Sequence, residues 1–269
     1  MDLQIEDEVA VVIGGAKGIG RAIGEAFFRE HAAVVFVDID PIVVETAQQV
    51  GDGDEGTATG VVLDATDYSA VQALAETVVS NHGQCHHLVY AAGAGSGKYG
   101  FPFWNLTPAD WERVLRVNLI GAVNAAHAFA PHLVSQRHGT MLFLSSVAGQ
   151  IGSQTDPPYS AAKAGVINFE QCAAKDLAEY NVRVNAICPG MVKTDVNQAV
   201  WRAWHEQQPA EAKISYDEWA DSKVKSVAPL GRWQTVADIA ELAVFLASPR
   251  AYNITGQTLN VDGGQVMHS

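Results

Sequence analysis

The chain has 269 residues, 48% of them hydrophobic, and its 30 acidic against 17 basic residues give a formal net charge of −13. This length and apolar content suffice for a full globular core, and the acidic balance without a basic stripe argues against nucleic acid as a partner. No apolar run approaches the roughly 20 residues that span a bilayer, and the acidic N-terminus lacks a signal-peptide pattern, so we expect a cytoplasmic protein that contacts no membrane.

Short apolar runs alternate with longer amphipathic stretches along the chain. In order, they predict a strand at 9–15, a helix at 18–30, a strand at 34–38, a helix opening near Pro41, a loop at 51–56, a strand at 61–64, a helix at 68–82, a strand at 87–93, helix pattern over 107–135, a strand at 140–146, a helix at 158–180, a strand at 182–190, a helix at 236–247 and a strand at 258–264. Continuous apolar strands separated by helices are typical of a parallel sheet with helices on both faces. We therefore predict a single α/β domain, 1–269, with a doubly wound parallel sheet.

One stretch, residues 191–228, holds no predicted strand and is rich in tryptophan. Residues 196–207 can form a helix with Trp201, Trp204 and His205 on one face, because side chains three and four positions apart align. We interpret the stretch as an insertion over the site and predict that it is a lid that closes over the cleft and excludes water. The alternative is a rigid helix packed permanently on the domain.

A group of metal-ligand residue types, His82, Cys85, His86 and His87, lies in one short segment. Because the group straddles Gly83 at a strand entrance instead of lining one helix face, we expect a structural role and no metal. The three cysteines of the chain are scattered without a CxxC pair, which favours free thiols in a reducing compartment.

A glycine-rich turn joins the first predicted strand to the first helix. Gly14, Gly18 and Gly20 allow a tight turn and let a pyrophosphate approach backbone N–H groups at the helix N-terminus, although an ordinary glycine-rich turn has the same composition. Asp38 ends the second strand eighteen residues past Gly20, where a carboxylate receives the ribose hydroxyls of NAD and repels a 2′-phosphate. Lys17 favours NADP, but a carboxylate facing a phosphate is the stronger effect, so we predict NAD.

A tyrosine and a lysine, Tyr159 and Lys163, lie four residues apart on a predicted helix and therefore share a face. Tyrosine has a reference pKa of about 10, and a nearby ammonium and the positive end of the helix are expected to lower it toward the range that acid–base catalysis needs. Ser146, thirteen residues earlier at a strand end, can hold a substrate oxygen.

These positions together resemble the short-chain dehydrogenase/reductase (SDR) family, from about residue 6 to 264. Residues 13–20 stand for the family's TGxxxGxG turn, and Tyr159 with Lys163 stand for its YxxxK pair. The other matches are Asn118 in VNLIG, Ser146 in LSSVAG, Asp64 in VVLDATD, YAAG (90–93) in place of NNAG, Pro189-Gly190 with Thr194, PLGRW (229–233) and TGQTLNVDGG (255–264).

The resemblance implies a Rossmann-like fold, hydride transfer with a nicotinamide, and a homotetramer with the helices around 107–135 and 158–180 packing across a two-fold axis. Tyr159 would remove the alcohol proton while hydride leaves the carbinol carbon for NAD⁺. The implied catalytic set is Asn118, Ser146, Tyr159 and Lys163, with Asn118 extending a water-linked proton path through Lys163. The implied cofactor-binding set is Gly14, Lys17, Gly18, Ile19, Gly20, Asp38, Asp64, Ala65, Ala92, Gly93, Tyr159, Lys163, Pro189, Gly190, Val192 and Thr194.

Two residues depart from the family pattern. Ile13 replaces a threonine and Tyr90 replaces the first asparagine of NNAG. Both expected residues are polar and tie the first and fourth strands together. Since removing both partners of a hydrogen bond can be nearly neutral, we predict a paired switch to apolar packing.

These observations favour an NAD-dependent dehydrogenase of a secondary alcohol, polyol or sugar. A 3-oxoacyl-thioester reductase on the same scaffold is the alternative, which Asp38 disfavours because that role usually takes NADPH. A protein that binds NAD without turnover is a third, opposed by the complete catalytic set. The sequence does not identify the substrate; its candidate contacts are Ser96, Gln150, Ser153, Met191, Trp201, Trp204 and His205.

Overall fold

The computed structural model describes residues 2–51, 57–193 and 195–267. Its strands are β1 Val9–Ile13, β2 Ala33–Asp38, β3 Ala58–Val62, β4 His87–Tyr90, β5 Gly139–Leu144, β6 Val182–Pro189 and β7 Gln257–Val261. Its helices are α1 Gly18–Arg29, α2 Ile42–Gly51, α3 Tyr68–His82, α4 Ala109–Leu115, α5 Gly121–Gln136, α6 Pro157–Leu177, α7 Asp195–Glu206, α8 Tyr216–Val227 and α9 Val236–Ala247. Within the described ranges no helix has the length and apolar character needed to cross a membrane.

The strands form one seven-stranded sheet in the order β3-β2-β1-β4-β5-β6-β7, and every neighbouring pair is parallel. The chain winds outward from β1 to β3 and then returns to place β4 on the other side of β1. In such a sheet ligands bind at the carboxyl ends of the strands, where the winding reverses. The switch between β1 and β4 therefore positions the site.

Alternate strand residues enter two separate cores. In β1, Ala10 and Val12 pack with α1, α2 and α9 on one face, whereas Val9, Val11 and Ile13 pack with α3, α5 and α6 on the other. Successive side chains point to opposite faces of a strand, so a strand buried on both faces is apolar throughout. This arrangement confirms the predicted single α/β domain with helices on both faces of a doubly wound sheet.

Element ends differ from the predicted ones by a few residues. Most predicted strands end earlier in the structure, because their last residues leave the hydrogen-bonded ladder and form the loops of the site. The third strand, predicted at 61–64, spans Ala58–Val62. The helix pattern predicted over 107–135 is divided into α4 and α5 by a π-helical turn, Arg116–Ile120.

The stretch predicted as an insertion contains α7 and α8 packed on each other. The rings of Trp201 and Tyr216 lie 5.8 Å apart and those of Trp204 and Trp219 lie 6.1 Å apart. The second helix of the stretch supplies an apolar surface for the tryptophans of α7, and Trp204 also lines a cavity. The interpretation of the stretch as a lid stays a prediction.

Candidate active site

The glycine turn after β1 passes close to the end of β4. Gly14 has φ +91°, and a Cβ there would overlap the backbone of Ala92. A Cβ on Gly20 would overlap the carbonyl oxygen of Gly14. Glycine is therefore required at both positions, because only a chain without side chains can close the turn this tightly. The turn leaves bare backbone at the N-terminus of α1, with Ile19 in its first turn.

The carboxylate of Asp38 lies against this turn. Its Oδ2 accepts a hydrogen bond from the backbone N–H of Ala16 at 3.1 Å, and its Oδ1 accepts one from the backbone N–H of Asp40 at 3.0 Å. Lys17 extends outward, with Nζ 3.6 Å from the carboxylate of Asp40. The negative charge of Asp38 is therefore fixed beside the helix N-terminus, while the positive charge of Lys17 is shared with a second acid.

Asp64 and Ala65 follow β3 on the same side of the sheet. Asp64 is exposed and its Oδ1 accepts the backbone N–H of Thr66 at 2.9 Å. Ala65 is buried, and its carbonyl accepts from Asn124 on α5 at 3.1 Å. An exposed carboxylate held by a turn has free acceptor capacity toward the crevice.

Ser146, Tyr159 and Lys163 meet where β5 ends and α6 begins. The Ser146 hydroxyl lies beside the side chain of Tyr159, and the Lys163 ammonium lies 5.5 Å from the centre of the tyrosine ring. Lys163 is 3% exposed, and its Nζ donates to the carbonyl of Leu144 at 2.6 Å. Pro157 and Pro158 begin α6, which suits proline because the first helical N–H groups need no intrahelical acceptor.

The pKa of Tyr159 is raised in this structure, whereas the sequence predicted that it would be lowered. Burial raises the pKa of Tyr159 to about 12, against the opposing effect of the Ser146 hydroxyl. Burial also lowers the pKa of Lys163 to about 8. The ammonium donates to a strand carbonyl instead of the phenol oxygen, so by itself it does not offset the desolvation of the phenolate.

Asn118 is fully buried within the π-helical turn between α4 and α5. Its Nδ2 donates to the carbonyls of Ala94 at 2.7 Å and Val114 at 2.8 Å, while its Oδ1 has no hydrogen-bond partner in the described chain. An ideal Cβ built on Gly93 would lie 3.0 Å from that Oδ1 and 3.6 Å from the Lys163 Nζ. The structure thus brings Asn118 and Lys163 to the same glycine.

At Tyr90 the structure differs from the predicted switch to apolar packing, because the tyrosine hydroxyl keeps a hydrogen bond. Ile13 and Tyr90 are register partners on β1 and β4, and both are buried. However, the Tyr90 hydroxyl donates to the carbonyl of Val117 at 2.6 Å, within the π-helical turn. Gly121 makes room for it, since a Cβ there would overlap the hydroxyl. A buried hydroxyl needs an acceptor, and the π-helical turn provides one.

The residues after β6 close the other side of the site. Gly190 packs against Asp262, and its N–H donates to the carbonyl of Val261 at 3.0 Å. Met191 and Val192 are buried, and Val192 bridges to Gln234. Thr194, predicted to hold the nicotinamide end, lies outside the described residues.

The predicted substrate contacts divide into two groups. Ser96 and Ser153 lie in the loops around the start of α6; the backbone N–H of Ser96 binds Asp156 at 2.7 Å. Gln150 forms a reciprocal amide pair with Asn260 at 2.7 and 2.9 Å, which occupies its side chain.

The α7 contacts form an aromatic group. The rings of Trp201 and His205 contact each other at a tilt of 42°, with centres 4.8 Å apart. The buried Trp201 Nε1 and His205 Nδ1 have no hydrogen-bond partner in the described chain. Trp204 lines a cavity.

Asp156 is a site residue that the sequence analysis missed. It lies immediately before α6, its Oδ2 accepts from Ser96, and its Oδ1 is buried with no hydrogen-bond partner in the described chain. Burial raises its pKa. An aspartate just before a helix that begins with proline predicts a helix cap, but the Asp156 side chain makes no cap hydrogen bond and binds Ser96 instead, so the local sequence did not mark it as a site residue.

The fold and this arrangement define an oxidoreductase of the class that uses a nicotinamide cofactor. The chain matches the family model described as enoyl-(acyl carrier protein) reductase over residues 14–266. It is 32% identical over 265 residues to the 3-oxoacyl-(acyl-carrier-protein) reductase FabG of Thermotoga maritima, covering 98% of this chain and 100% of the relative. It is 34% identical over 269 residues to the galactitol 2-dehydrogenase of Agrobacterium fabrum, with coverages of 98% and 100%.

Among solved structures, that of the L-sorbose reductase from Gluconobacter frateurii, complexed with NADPH and L-sorbose, matches with a TM-score of 0.90. The two chains are 26% identical, and 100% of each is covered. This protein belongs to the SDR family.

Proposed function

We propose that this protein is an NAD(H)-dependent dehydrogenase that oxidises a small secondary alcohol, polyol or sugar and reduces the corresponding ketone. The observation that carries the proposal is the convergence of Ser146, Tyr159, Lys163 and Asn118 at the carboxyl edge of the sheet, beside a glycine turn flanked by Asp38. The unpartnered Asn118 Oδ1 and the bare backbone at Gly14 fit a bound dinucleotide and its ordered water.

In this mechanism Tyr159 holds and moves the proton of the substrate hydroxyl at its phenol oxygen. Ser146 binds the substrate oxygen beside it, and Lys163 and Asn118 connect the site to a proton path. A bound oxidised nicotinamide would supply the hydride acceptor and a positive charge opposing the burial that raises the pKa of Tyr159 to about 12.

NAD is the favoured cofactor because of the fixed Asp38 carboxylate. A 2′-phosphate would bring negative charge toward a carboxylate held by the glycine turn. Lys17, the cation that would favour the phosphate, contacts Asp40. A 3-oxoacyl-thioester reductase is the second candidate, supported by similarity to the FabG of T. maritima.

The oxidoreductase assignment is tested with NAD⁺ or NADP⁺, a panel of alcohols, polyols and sugars, and absorbance at 340 nm. Tyr159→Phe should retain the fold and NADH binding but lose at least about 100-fold in turnover, as expected when a general acid–base group is removed. The matched control is Tyr180→Phe, because Tyr180 lies at the far end of α6 from Tyr159. Turnover like that of the wild type in Tyr159→Phe would remove the mechanism.

The cofactor assignment has its own test. Wild-type kcat/KM should be higher with NAD⁺ than with NADP⁺, and Asp38→Ala should narrow that gap by removing charge repulsion. Asp40→Ala separates the two charges, since it removes the acid that contacts Lys17 and leaves Asp38 in place; it should narrow the gap less than Asp38→Ala does. A wild-type preference for NADP⁺ would show that Lys17 outweighs Asp38.

We also propose a cytoplasmic homotetramer. The tetramer is the assembly that the family resemblance implies, and Cys85, Cys172 and Cys188 are free thiols, two of them buried, as suits a reducing compartment. Light scattering at micromolar concentration should give four times the 28.7 kDa chain mass. A monomer there, or recovery outside the cytoplasmic fraction, would contradict these assignments.

A further inference from the structure

A cavity of about 470 Å³ opens between two loops of the site and the α7–α8 pair. Tyr99 and Thr155 line one wall, and Trp204 lines another from α7. Trp219 and Lys223, one helical turn apart on α8, line the remaining side. The cavity therefore combines aromatic walls with a single type of charge, a lysine ammonium.

The cavity adjoins the candidate active site. Thr155 precedes Tyr159 by four residues, in the segment that enters α6. Its carbonyl accepts the backbone N–H of Gly100 at 2.7 Å, which joins the loop after β4 to the loop before α6. The cavity therefore opens on the loop that leads directly into the helix carrying Tyr159, and a substrate longer than its carbinol group has this space beside it.

The Lys223 side chain is partly withdrawn from solvent. Its Nζ lies 4.6 Å from the ring centre of Trp219, a residue that is itself 8% exposed. An ammonium over an aromatic face is attracted by the ring, but it loses hydration, and burial lowers the pKa of Lys223. Lys225, two residues further along the same helix, is exposed.

The part of the chain that the structure describes offers Lys223 no carboxylate partner. Among the residues with described positions, none places an acidic oxygen within 4.0 Å of its ammonium. The acids of α8 are engaged elsewhere: Asp217 pairs with a lysine at 3.6 Å, Glu218 closes the capping box, and Asp221 accepts an indole N–H at 3.1 Å. A desolvated cation without an anionic partner is costly, so Lys223 is suited to receive an anion.

The acid nearest in sequence to the opposite wall, Asp156, is not among the residues that line the cavity. Asp156 follows Thr155, and its Oδ2 accepts the backbone N–H of Ser96 at 2.7 Å. The whole chain carries a net charge of −13, so an anionic substrate is repelled unless a local cation attracts it. A neutral polyol needs no such cation.

We propose that Lys223 is an anion-binding residue of the substrate pocket, and that the alcohol or ketone substrate carries a carboxylate or phosphate on a partly apolar body. This inference rests on the proposed function, because it assigns the substrate class of the same site. Trp204 and Trp219 contact the apolar part of the substrate, and Lys223 binds its charged end.

The test compares anionic probes with neutral counterparts of the same carbinol. 3-Hydroxybutyrate and 3-hydroxyoctanoate are paired with their methyl esters, and 3-hydroxybutyryl-CoA is paired with the N-acetylcysteamine thioester. Both kcat/KM with NAD⁺ and half-saturation of tryptophan fluorescence in the presence of NADH are measured. At least one anionic probe should exceed its neutral partner by about tenfold, the size expected of a hydrogen bond to a charged group. Preference for a free acid identifies a carboxylate source, and preference for the CoA ester alone identifies a phosphate.

Variants locate the effect. Lys223→Met should bring the anionic-to-neutral ratio to about one, Lys223→Arg should retain most of it, and Lys225→Met, which removes the same charge from an exposed position, should leave it unchanged. The ratio is internal to each variant, so a general loss of fold does not imitate the result. No anionic preference in the wild type, or a preference that persists in Lys223→Met, overturns the proposal.

Two outcomes separate this inference from the proposed function. Anionic preference in the fluorescence titration, without nicotinamide-linked turnover of any probe or panel alcohol, keeps the subsite and removes the dehydrogenase. Turnover of neutral alcohols, with acids and esters bound equally well, keeps the dehydrogenase and removes the anion-binding subsite.

Discussion

The amino and carboxyl ends of the parallel strands, called here the amino edge and the carboxyl edge of the sheet, hold polar groups of opposite character. At the amino edge His87 is buried, Glu8 is partly buried and His138 is exposed. At the amino edge, Glu8 accepts hydrogen bonds from His87 at 2.6 Å and His138 at 3.0 Å, and the other ring nitrogen of His87 faces the Thr140 hydroxyl at 2.8 Å. At the carboxyl edge, Asn118 Oδ1 and Asp156 Oδ1 are buried with no partner in the described residues.

This difference separates stability from function. Buried polar groups in native proteins are hydrogen bonded, and the exceptions need an explanation. The amino edge needs none, since its charges and rings satisfy one another and tie strand ends together. At the carboxyl edge the unpaired oxygens lie beside Lys163 and Tyr159, where a ligand and water would complete them. We expect mutations at the first edge to change unfolding and mutations at the second to change turnover.

The largest expected effect is at the amino edge. Glu8→Ala should destabilise the fold by about 2 kcal/mol, because it removes hydrogen bonds to a charged acceptor and leaves the buried Nε2 of His87 without its partner. The measurement is the midpoint of urea unfolding. Glu6→Ala is the matched control, an exposed acid two residues earlier, and turnover should be unchanged in both variants. Lost turnover in folded Glu8→Ala protein would break the division between the edges.

The pH dependence of this loss sharpens the prediction. Burial alone would raise the pKa of Glu8, but hydrogen bonds from His138 and His87 hold it well below its usual range. That stabilisation is present above the unfolded value of about 4.3 and is lost as pH falls. The hydrogen bond to Glu8 raises the pKa of His138. The stabilisation contributed by His138 is therefore fully present below its unfolded pKa of about 6.5 and is lost at higher pH. The difference in the free energy of unfolding between the wild type and Glu8→Ala should therefore be largest between these two pH values.

A smaller effect is expected from Tyr90→Phe at the carboxyl edge. The hydroxyl is the tie between β4 and the π-helical turn that holds Asn118. Losing it leaves the Val117 carbonyl unpaired, which costs about 1 kcal/mol, and a shift of Asn118 of that energy lowers kcat about fivefold. The KM for NAD⁺ should stay within about twofold if Tyr90 positions Asn118 and has no other role. Tyr252→Phe, at an exposed tyrosine, is the control; equal kcat in both variants would remove the positioning role.

Local patterns in the sequence predicted most of the fold. The run of five apolar residues in β1 can be seen in the local sequence. The same holds for the four-residue spacing of Tyr159 and Lys163. The amino-edge network was not predictable in this way, because Glu8 and His138 are 130 positions apart. Lys223 also gave no signal, since its importance depends on which acids its helix neighbours already bind. The packing of the α7 tryptophans on α8 was not predictable for the same reason, because it joins residues that are distant in sequence.

The smallest expected effect is a change in amide exchange across residues 191–228, the predicted lid, when NADH binds. The ring contacts between α7 and α8 mean that the two helices must move together if they move. The stretch is tied down at both ends, by the bridge of Val192 to Gln234 and by the hydrogen bond of Trp233 to Asp221. NADH should therefore slow amide exchange in α7 and α8 together, by on the order of a few-fold, and leave exchange in α9 unchanged. Trp201→Phe and Trp204→Phe should each reduce the accompanying fluorescence change. Equal protection with and without NADH would show that the paired helices are a rigid wall of the site.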